Sequence, residues 1–360
     1  VIPLIDFLKQ NGYELGIIGK FCSKYIRDKV DAFHKVDYSK LGRLRDVFDK
    51  YGYDHLIPGC TDLSYMQCSN LKRREVDETR IIRRLHEKRN FKRVLSTLGI
   101  PSSHSYSEYE ALKQKQQLIF KPVDSFSGMG VSVVPRNADN LTKANAIEHA
   151  KGHSSSKGVI IEDYFLGDLY SVSSIWDGKK IIKEIYVREF GLANEFRVDY
   201  SYIDSDFDKT EMAAKIRDDL NRIATFLKLK PGLIHVQFIK NNKTYIIVEC
   251  MRRLPGDLYA RLIEIDSDWQ YGRDYILALI GKDIKEIAGK TITVYSNHVR
   301  VTVSNIQHKR NLLSKLELMG LCYNEYSNRR NEPNFRSTFF VEVINSQGFR
   351  EVIREIVSSN

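Results

Sequence analysis

Lys121 stands just ahead of a loop of mostly small residues, Asp124-Ser125-Phe126-Ser127-Gly128-Met129-Gly130. Glycines let backbone N–H groups approach phosphate oxygens with no side chain in the way. A lysine at the base of such a loop adds a point charge for the same phosphates. Ser125, Ser127, Gly128, Met129 and Gly130 are therefore candidate phosphate contacts. The valine-rich run Val131–Val134 follows, so a strand leaves the loop, whereas a Walker A sequence would lead into a helix. A plain long hairpin is the alternative reading.

Gln237 and Glu249 form a second constellation. They lie on the runs Leu233–Ile239 and Thr244–Glu249, which flank the turn Asn241-Asn242-Lys243 and so predict two antiparallel strands. Residues facing each other there have Cβ atoms about 5 Å apart. An amide oxygen and a carboxylate at that spacing can share a hard cation, and Mg²⁺ needs only one or two protein carboxylates besides substrate phosphates. The alternative is that Glu249 pairs with Arg252 or Arg253. Those two arginines, with Asp257 around Pro255-Gly256, could clamp a transferring phosphoryl group or could be surface charges of a loop.

These residues need elements to hold them. Helices are expected over Ile2–Lys9, Leu41–Tyr51, Ile81–Leu98, Met212–Leu227 and 257–282, with strands at Glu14–Gly19 and His55–Pro58. Gln117–Val123, Val131–Val134 and Val159–Glu162 read as strands, and Leu169–Trp176 with Lys180–Val187 as a hairpin turning on Asp177-Gly178. The tail predicts strand Val299–Val303, helix Leu312–Met319, strand Thr338–Val343 and a last helix near Gly348–Val357. Early alternation of helix and strand suggests a parallel, doubly wound sheet, whose ligands sit at strand carboxyl ends. Gly59, Cys60 and Thr61 could line such a site, or form an ordinary turn. Lys88 falls on the apolar stripe Ile81, Leu85, Phe91, Val94, Leu95, Leu98, where it either snorkels to solvent or reaches an anion. Because Ile2–Lys9 already reads as a helix, a strand is expected ahead of the given chain.

Composition narrows the class. The five cysteines are scattered, with no CxxC pair, which argues against a disulfide framework or a structural zinc site and makes a reducing cytoplasm the simplest setting. No apolar run approaches the ~20 residues of a membrane helix. The net charge of +10 invites an anionic partner, and the densest basic stretch runs from Lys72 to Arg93. A solvated helix face or contact with phosphate groups would each account for it. No reading motif or aromatic stacking series points to nucleic acid.

The order of the motifs resembles the ATP-grasp superfamily: a phosphate-loop hairpin, then VIIEDYF, then HVQF with YIIVE. The resemblance spans roughly residues 1–285 and implies an α/β and α+β chain. A Rossmann-like parallel-sheet domain (1–80) would precede a two-lobed ATP-grasp domain (81–288), its nucleotide lobe at about 100–166 and its metal and substrate lobe at about 167–288. A small α+β region (289–360) would follow. The resemblance implies ATP and Mg²⁺ (or Mn²⁺) as cofactors. Lys88 and Lys121 correspond to the family's two nucleotide lysines, and SFSGMGVSVV to its phosphate-covering loop. Glu162, Asp163 and Phe165 would contact adenine, the last two through backbone. Gln237 and Glu249 would hold metal, glutamine being similar to the carbamoyl-phosphate synthase branch, and Arg253 matches the arginine of E-x-N-x-R. Met251 stands in place of that motif's asparagine, and Leu169 in place of an acidic ribose contact. The implied activity is ligation of a small carboxylate to an amine through an acyl phosphate, with Lys121 and Arg253 catalytic, no nucleic acid or membrane partner, and a homodimer compatible with it. Arg188 and Arg197 are surface charges or carboxylate contacts. The competing reading is a non-catalytic ATP- or polyanion-binding module of the same fold.

Overall fold

The computed structural model describes residues 2–125, 128–192, 194–282, 284–289, 291–328 and 336–358. Among them, strands β1 (Gly16–Gly19) and β2 (Ala32–Lys35) pair in parallel as a small sheet of their own. Strands β3 (Ser105–Tyr106), β4 (Leu118–Pro122), β5 (Ser132–Val134) and β6 (Val159–Asp163) make an antiparallel sheet in the order β3-β6-β4-β5. The remaining strands are β7 (Asp168–Trp176), β8 (Ile181–Phe190), β9 (Tyr200–Ile203), β10 (Gly232–Lys240), β11 (Tyr245–Met251), β12 (His298–Val303), β13 (Tyr323–Asn328) and β14 (Arg336–Glu342). They form one antiparallel sheet, ordered β11-β10-β7-β8-β9-β12-β14-β13. The fold is thus mixed α/β with a small parallel sheet and a large antiparallel one, and the tail strands β12–β14 extend the same sheet that carries Gln237 and Glu249.

Two turns set the registers that matter. Asp177 Oδ1 accepts the N–H of Lys179 and of Lys180, both at 2.7 Å, while Gly178 takes φ +99°, closing β7 onto β8. Asn241 Oδ1 accepts from Lys243 and Thr244 N–H (2.9 and 3.0 Å), closing β10 onto β11. That turn places Gln237 opposite Glu249, with a register shift immediately after.

Three expectations need correction. His55–Pro58 is not a strand. Pro58 has no N–H for a ladder, and the segment is held by side chains instead, with His55 Nδ1 bonded to Glu75 at 2.9 Å. The helix expected over Ile81–Leu98 breaks at Glu87 (ψ 108°) into Thr79–His86 and Lys88–Thr97. Leu85 and Phe91 would lie about 120° apart on one continuous helix; with the break between them, both are buried. The stretch 257–282 divides into Tyr259–Asp266 and Tyr271–Ile280, with extended Ser267 bridging to Val294 between them.

The large sheet has two unlike faces. One packs Tyr170, Tyr186, Phe238 and Phe207 into an aromatic cluster beneath the helix Glu211–Leu227. The other carries Ser171, Ser173, His235, Gln237 and Glu189, beneath the helices Tyr259–Asp266 and Tyr271–Ile280. In the smaller sheet, Leu118 and Phe120 face the helix Asn140–Gly152, and the alternation turns Lys121 to the opposite face.

One ion pair joins the N-terminal segment to the large sheet. Arg252 is fully buried; its Nε donates to Asp77 Oδ2 at 2.8 Å, and its other nitrogens donate to the carbonyls of Leu233 and Lys230. Asp77 also accepts from Tyr65 Oη (2.9 Å) and Lys230 N (2.7 Å). Arg252 is therefore structural and does not clamp a ligand. Removing one partner of such a pair leaves a buried charge unpaired, at a cost of about 3–5 kcal/mol. We expect Arg252→Ala to lose about that much stability in urea unfolding; a loss below about 1 kcal/mol would show that the pair does not organise the fold.

Candidate active site

Lys121 and Glu162 sit diagonally on β4 and β6, Lys121 opposite Ile160 and Glu162 opposite Ile119. Their side chains meet at 2.5 Å. Lys92, from the helix Lys88–Thr97, reaches the other oxygen of Glu162 at 2.6 Å. Glu162 is 5% exposed. Burial works to raise its carboxyl, but the two ammonium groups outweigh this and hold it below the usual range. Lys88 Nζ donates to the Pro122 carbonyl at 3.3 Å. Burial and the nearby charge of Lys121 depress the Lys88 amine, while Glu249, Glu162 and Asp124 oppose that shift. The basic stretch is thus not one solvated face: Lys88, Arg89 and Lys92 all bond toward the four-stranded sheet.

The loop after β4 is pinned at its root. Asp124 accepts from Ser154 Oγ (2.6 Å), Ser155 N (3.1 Å) and Ser156 N (3.0 Å). Ser125 Oγ donates to the Met129 carbonyl at 3.0 Å. Gly128 has φ +70°, and a Cβ there would lie 2.5 Å from Cβ of Phe196, so only glycine lets the loop approach that segment. Gly130 likewise has φ +73° and abuts His153. Met129 is exposed. Ser127 lies outside the described residues. Asp163 accepts from Tyr106 Oη (2.9 Å) and Gln116 Nε2 (3.0 Å), and its N–H donates to the His104 carbonyl. Phe165 is half-buried just beyond β6.

Gln237 and Glu249 face each other across β10 and β11. Glu249 is half-buried, and among the described residues its carboxylate forms no ion pair with Arg252 or Arg253. Burial and the charge of Asp62 raise it, against Lys88, Arg253 and Lys121. Gln237 donates from Nε2 to Glu189 at 2.7 Å, which leaves its Oε1 free of that bond. Arg253 forks onto Asp62 (2.8 and 3.1 Å), at the start of the helix Asp62–Asn70. His86 Nε2 stands 3.9 Å from Asp62, and among the described residues neither buried ring nitrogen has a hydrogen-bond partner. Lys88, Lys121, Glu162, Glu249 and Arg253 thus converge from four stretches of chain into one charged cluster. Met251 lies opposite His235 and is 8% exposed. Leu169 pairs with Ile239 and Glu189 and offers no carboxylate. Arg188 pairs with Asp168 at 2.9 Å, and Arg197 with Asp199.

Comparison with known proteins gives this geometry a context. Residues 114–260 match the family model described as the ATP-grasp domain. The chain contains an ATP-grasp domain. The match covers β4–β11, and with them Lys121, Glu162, Gln237, Glu249 and Arg253. Among solved structures, the N5-carboxyaminoimidazole synthetase of Staphylococcus aureus, complexed with ADP, superposes with TM-score 0.76 at 13% identity, over 99% of this chain and 93% of its own. The L-amino acid ligase of Bacillus licheniformis gives 0.74 at 11%, over 98% and 93%. The biotin carboxylase of Campylobacter jejuni, in a β,γ-ATP complex, gives 0.72 at 12%, over 95% and 84%. At these identities the likeness is one of fold. No curated protein matches the sequence.

Four participants in or beside the ATP-grasp domain were missed from sequence: Lys92, Asp62, Glu189 and Arg300. Lys92 follows Lys88 by one helical turn, a signal that was available; the others are brought in only by tertiary contacts. Glu189 is 3% exposed and also accepts from Ser171 Oγ at 2.8 Å. Burial, with the charge of Asp257 adding, pushes its carboxyl up to about 7, against bonds from Ser171 and Gln237 and the charge of Arg300. A carboxyl raised in the folded state lends stability below its ordinary value of 4.5 and loses it as pH rises through about 7. Relative to Glu189→Gln, the wild type should therefore lose on the order of 3 kcal/mol between about pH 4.5 and about pH 8. Urea unfolding at the two pH values reads this directly. A gap that does not change with pH would mean that Glu189 is ionised as readily folded as unfolded.

Proposed function

We propose that this chain is an ATP-dependent ligase that joins a small carboxylate to an amine through an acyl phosphate. The observation that carries the reading is the convergence of Lys88, Lys121, Glu249 and Arg253 on a fold shared with ligases solved in ADP and ATP complexes. We take residues 81–288 as the catalytic unit and 1–80 as the domain that lends Asp62 to its edge.

Two lysines of like charge held together are repelled unless a polyanion lies between them, and the Lys88 amine is already depressed. A triphosphate suits that arrangement. Lys121, fixed by Glu162, would hold the phosphates at the base of the loop Ser125–Gly130, and Lys88 would close on them from the helix start. Asp163 spends its side chain on Tyr106 and Gln116 and its N–H on the His104 carbonyl, so an adenine edge would meet the rest of the backbone from the end of β6 to Phe165. The donor set also suits a magnesium ion: Glu249 offers an unpaired carboxylate and Gln237 an amide oxygen, both hard ligands. Such an ion, when bound, supplies charge neutralisation at the transferring phosphoryl group.

Arg253 is the residue for the acyl phosphate. Its bond to the half-exposed Asp62 is a rim ion pair, worth about 0–1 kcal/mol, so a phosphate can displace or share it. The amine then attacks the acyl carbon and phosphate leaves, with water excluded by the loop over the site.

A second reading rests on Met251. Buried opposite His235, its thioether offers no hard-cation ligand where the family motif has asparagine. That favours a module that binds ATP without turning it over. Phosphate release, screened with ATP over carboxylates and amines, separates the two. The ligase reading expects turnover that falls at least about a hundredfold in Lys121→Ala and in Glu249→Ala. Turnover unchanged in both variants would refute the site assignment, and ATP binding without ADP formation across the screen would favour the module.

A further inference from the structure

A hollow of about 230 Å³, with both charged and apolar lining, lies where the segment before β9, strands β12 and β14, and the loop after Arg253 meet. Its wall includes Arg197, Asp257, Thr302, Ser304, Tyr326 and Arg336. A smaller hollow of about 140 Å³ adjoins it and shares Arg197, Asp199, Thr302 and Ser304. Neither is lined by Lys88, Lys121 or Glu249, so this is not the nucleotide position.

The wall charges are fixed from behind. Asp257 accepts from Arg300 Nη1 at 2.6 Å; Arg300 is fully buried on β12, and its Nε donates to Ser201 at 2.9 Å. Arg197 forks onto Asp199 at 2.8 and 3.3 Å, and Asp199 is itself buried. A side chain braced this way loses little freedom on meeting a ligand. Among the described residues, two buried polar atoms have no hydrogen-bond partner: Ser304 Oγ in the wall and Arg300 Nη2 behind Asp257. An unpaired buried donor costs about 1–3 kcal/mol, which a ligand acceptor would relieve.

Charge and size narrow the ligand. At the wall, Arg197 and Arg336 stand against Asp199 and Asp257, two positive groups against two negative, with Arg300 buried behind Asp257. The volume lies below the ~300–1,000 Å³ of drug-sized sites. A fitting occupant would be a small molecule with a carboxylate for the arginine side and a cationic group for Asp257. Gly256 and Asp257 stand three and four residues after Arg253, so an occupant shares a loop with the arginine assigned to the acyl phosphate.

We propose that this hollow docks the amine-bearing substrate and that this substrate is an α-amino acid. Its carboxylate would lie toward Arg336 and Ser304, and its ammonium toward Asp257. The proposal rests on the ligase reading for the role of the occupant, but not for its binding.

The test is calorimetric titration of the full chain with each of the common α-amino acids, with and without ADP, and with the methyl ester of any that binds. At least one amino acid should bind, and esterification should weaken it about tenfold or more, the loss of one charge-assisted bond. Arg336→Ala and Ser304→Val, both at the wall, should each weaken it while leaving ADP affinity unchanged. No amino acid bound in either condition, an ester bound as tightly as its acid, or wall variants without effect would each overturn the proposal. Amino acid binding without ATP turnover would instead leave the hollow standing and sink the ligase reading. Turnover on other amines with the wall variants unaffected would do the reverse.

Discussion

The buried pair between Arg252 and Asp77 is the constraint from which the rest of the site follows. Its geometry ties four stretches of chain together: Tyr65 of the helix Asp62–Asn70, the residues around Asp77, the entry to β10 at Lys230–Leu233, and the end of β11. With Arg252 fixed on one side of the chain, Arg253 projects to the other and meets Asp62, while Glu249 stays opposite Gln237. Two adjacent arginines therefore have opposite roles. The buried one is costly to disturb, and the partly exposed one is cheap to re-pair. That difference lets a rigid frame present a guanidinium able to change partners.

The charged cluster is built on the same logic. Glu162 holds two lysines, and Lys88 is brought close to Lys121 although the two repel. Packing of the helix Lys88–Thr97, through buried Phe91, Val94 and Leu95, sets that proximity. Full burial of such side chains contributes about 1.5–3 kcal/mol each, enough to hold like charges together at modest separation. A site assembled before its ligand arrives keeps its donors aimed where negative charge will sit.

The sequence was most legible where spacing is local. The β10–β11 register followed from a short polar turn, and Asn241 closes it with its own side chain. Lys121 could be placed opposite the core because Leu118 and Phe120 alternate with it. Legibility failed where position depends on strand order. The large sheet runs β11-β10-β7-β8-β9-β12, so Gln237, Glu189 and Arg300 become neighbours across strands far apart in the chain. Glu189 and Arg300 read in sequence as ordinary alternating charges on amphipathic strands, yet both are buried. The break at Glu87 was missed because neither glycine nor proline marks it.

The central claim is that Lys88, Lys121 and Glu249 act together as one nucleotide and metal site. Calorimetric titration of ATP into wild type, with and without magnesium, tests it most directly when set beside Lys88→Ala, Lys121→Ala and Glu249→Ala. The account predicts binding that is tighter with magnesium, weakened at least about tenfold by either lysine variant, and stripped of its magnesium dependence in Glu249→Ala. ATP affinity that is indifferent to all three substitutions would contradict it.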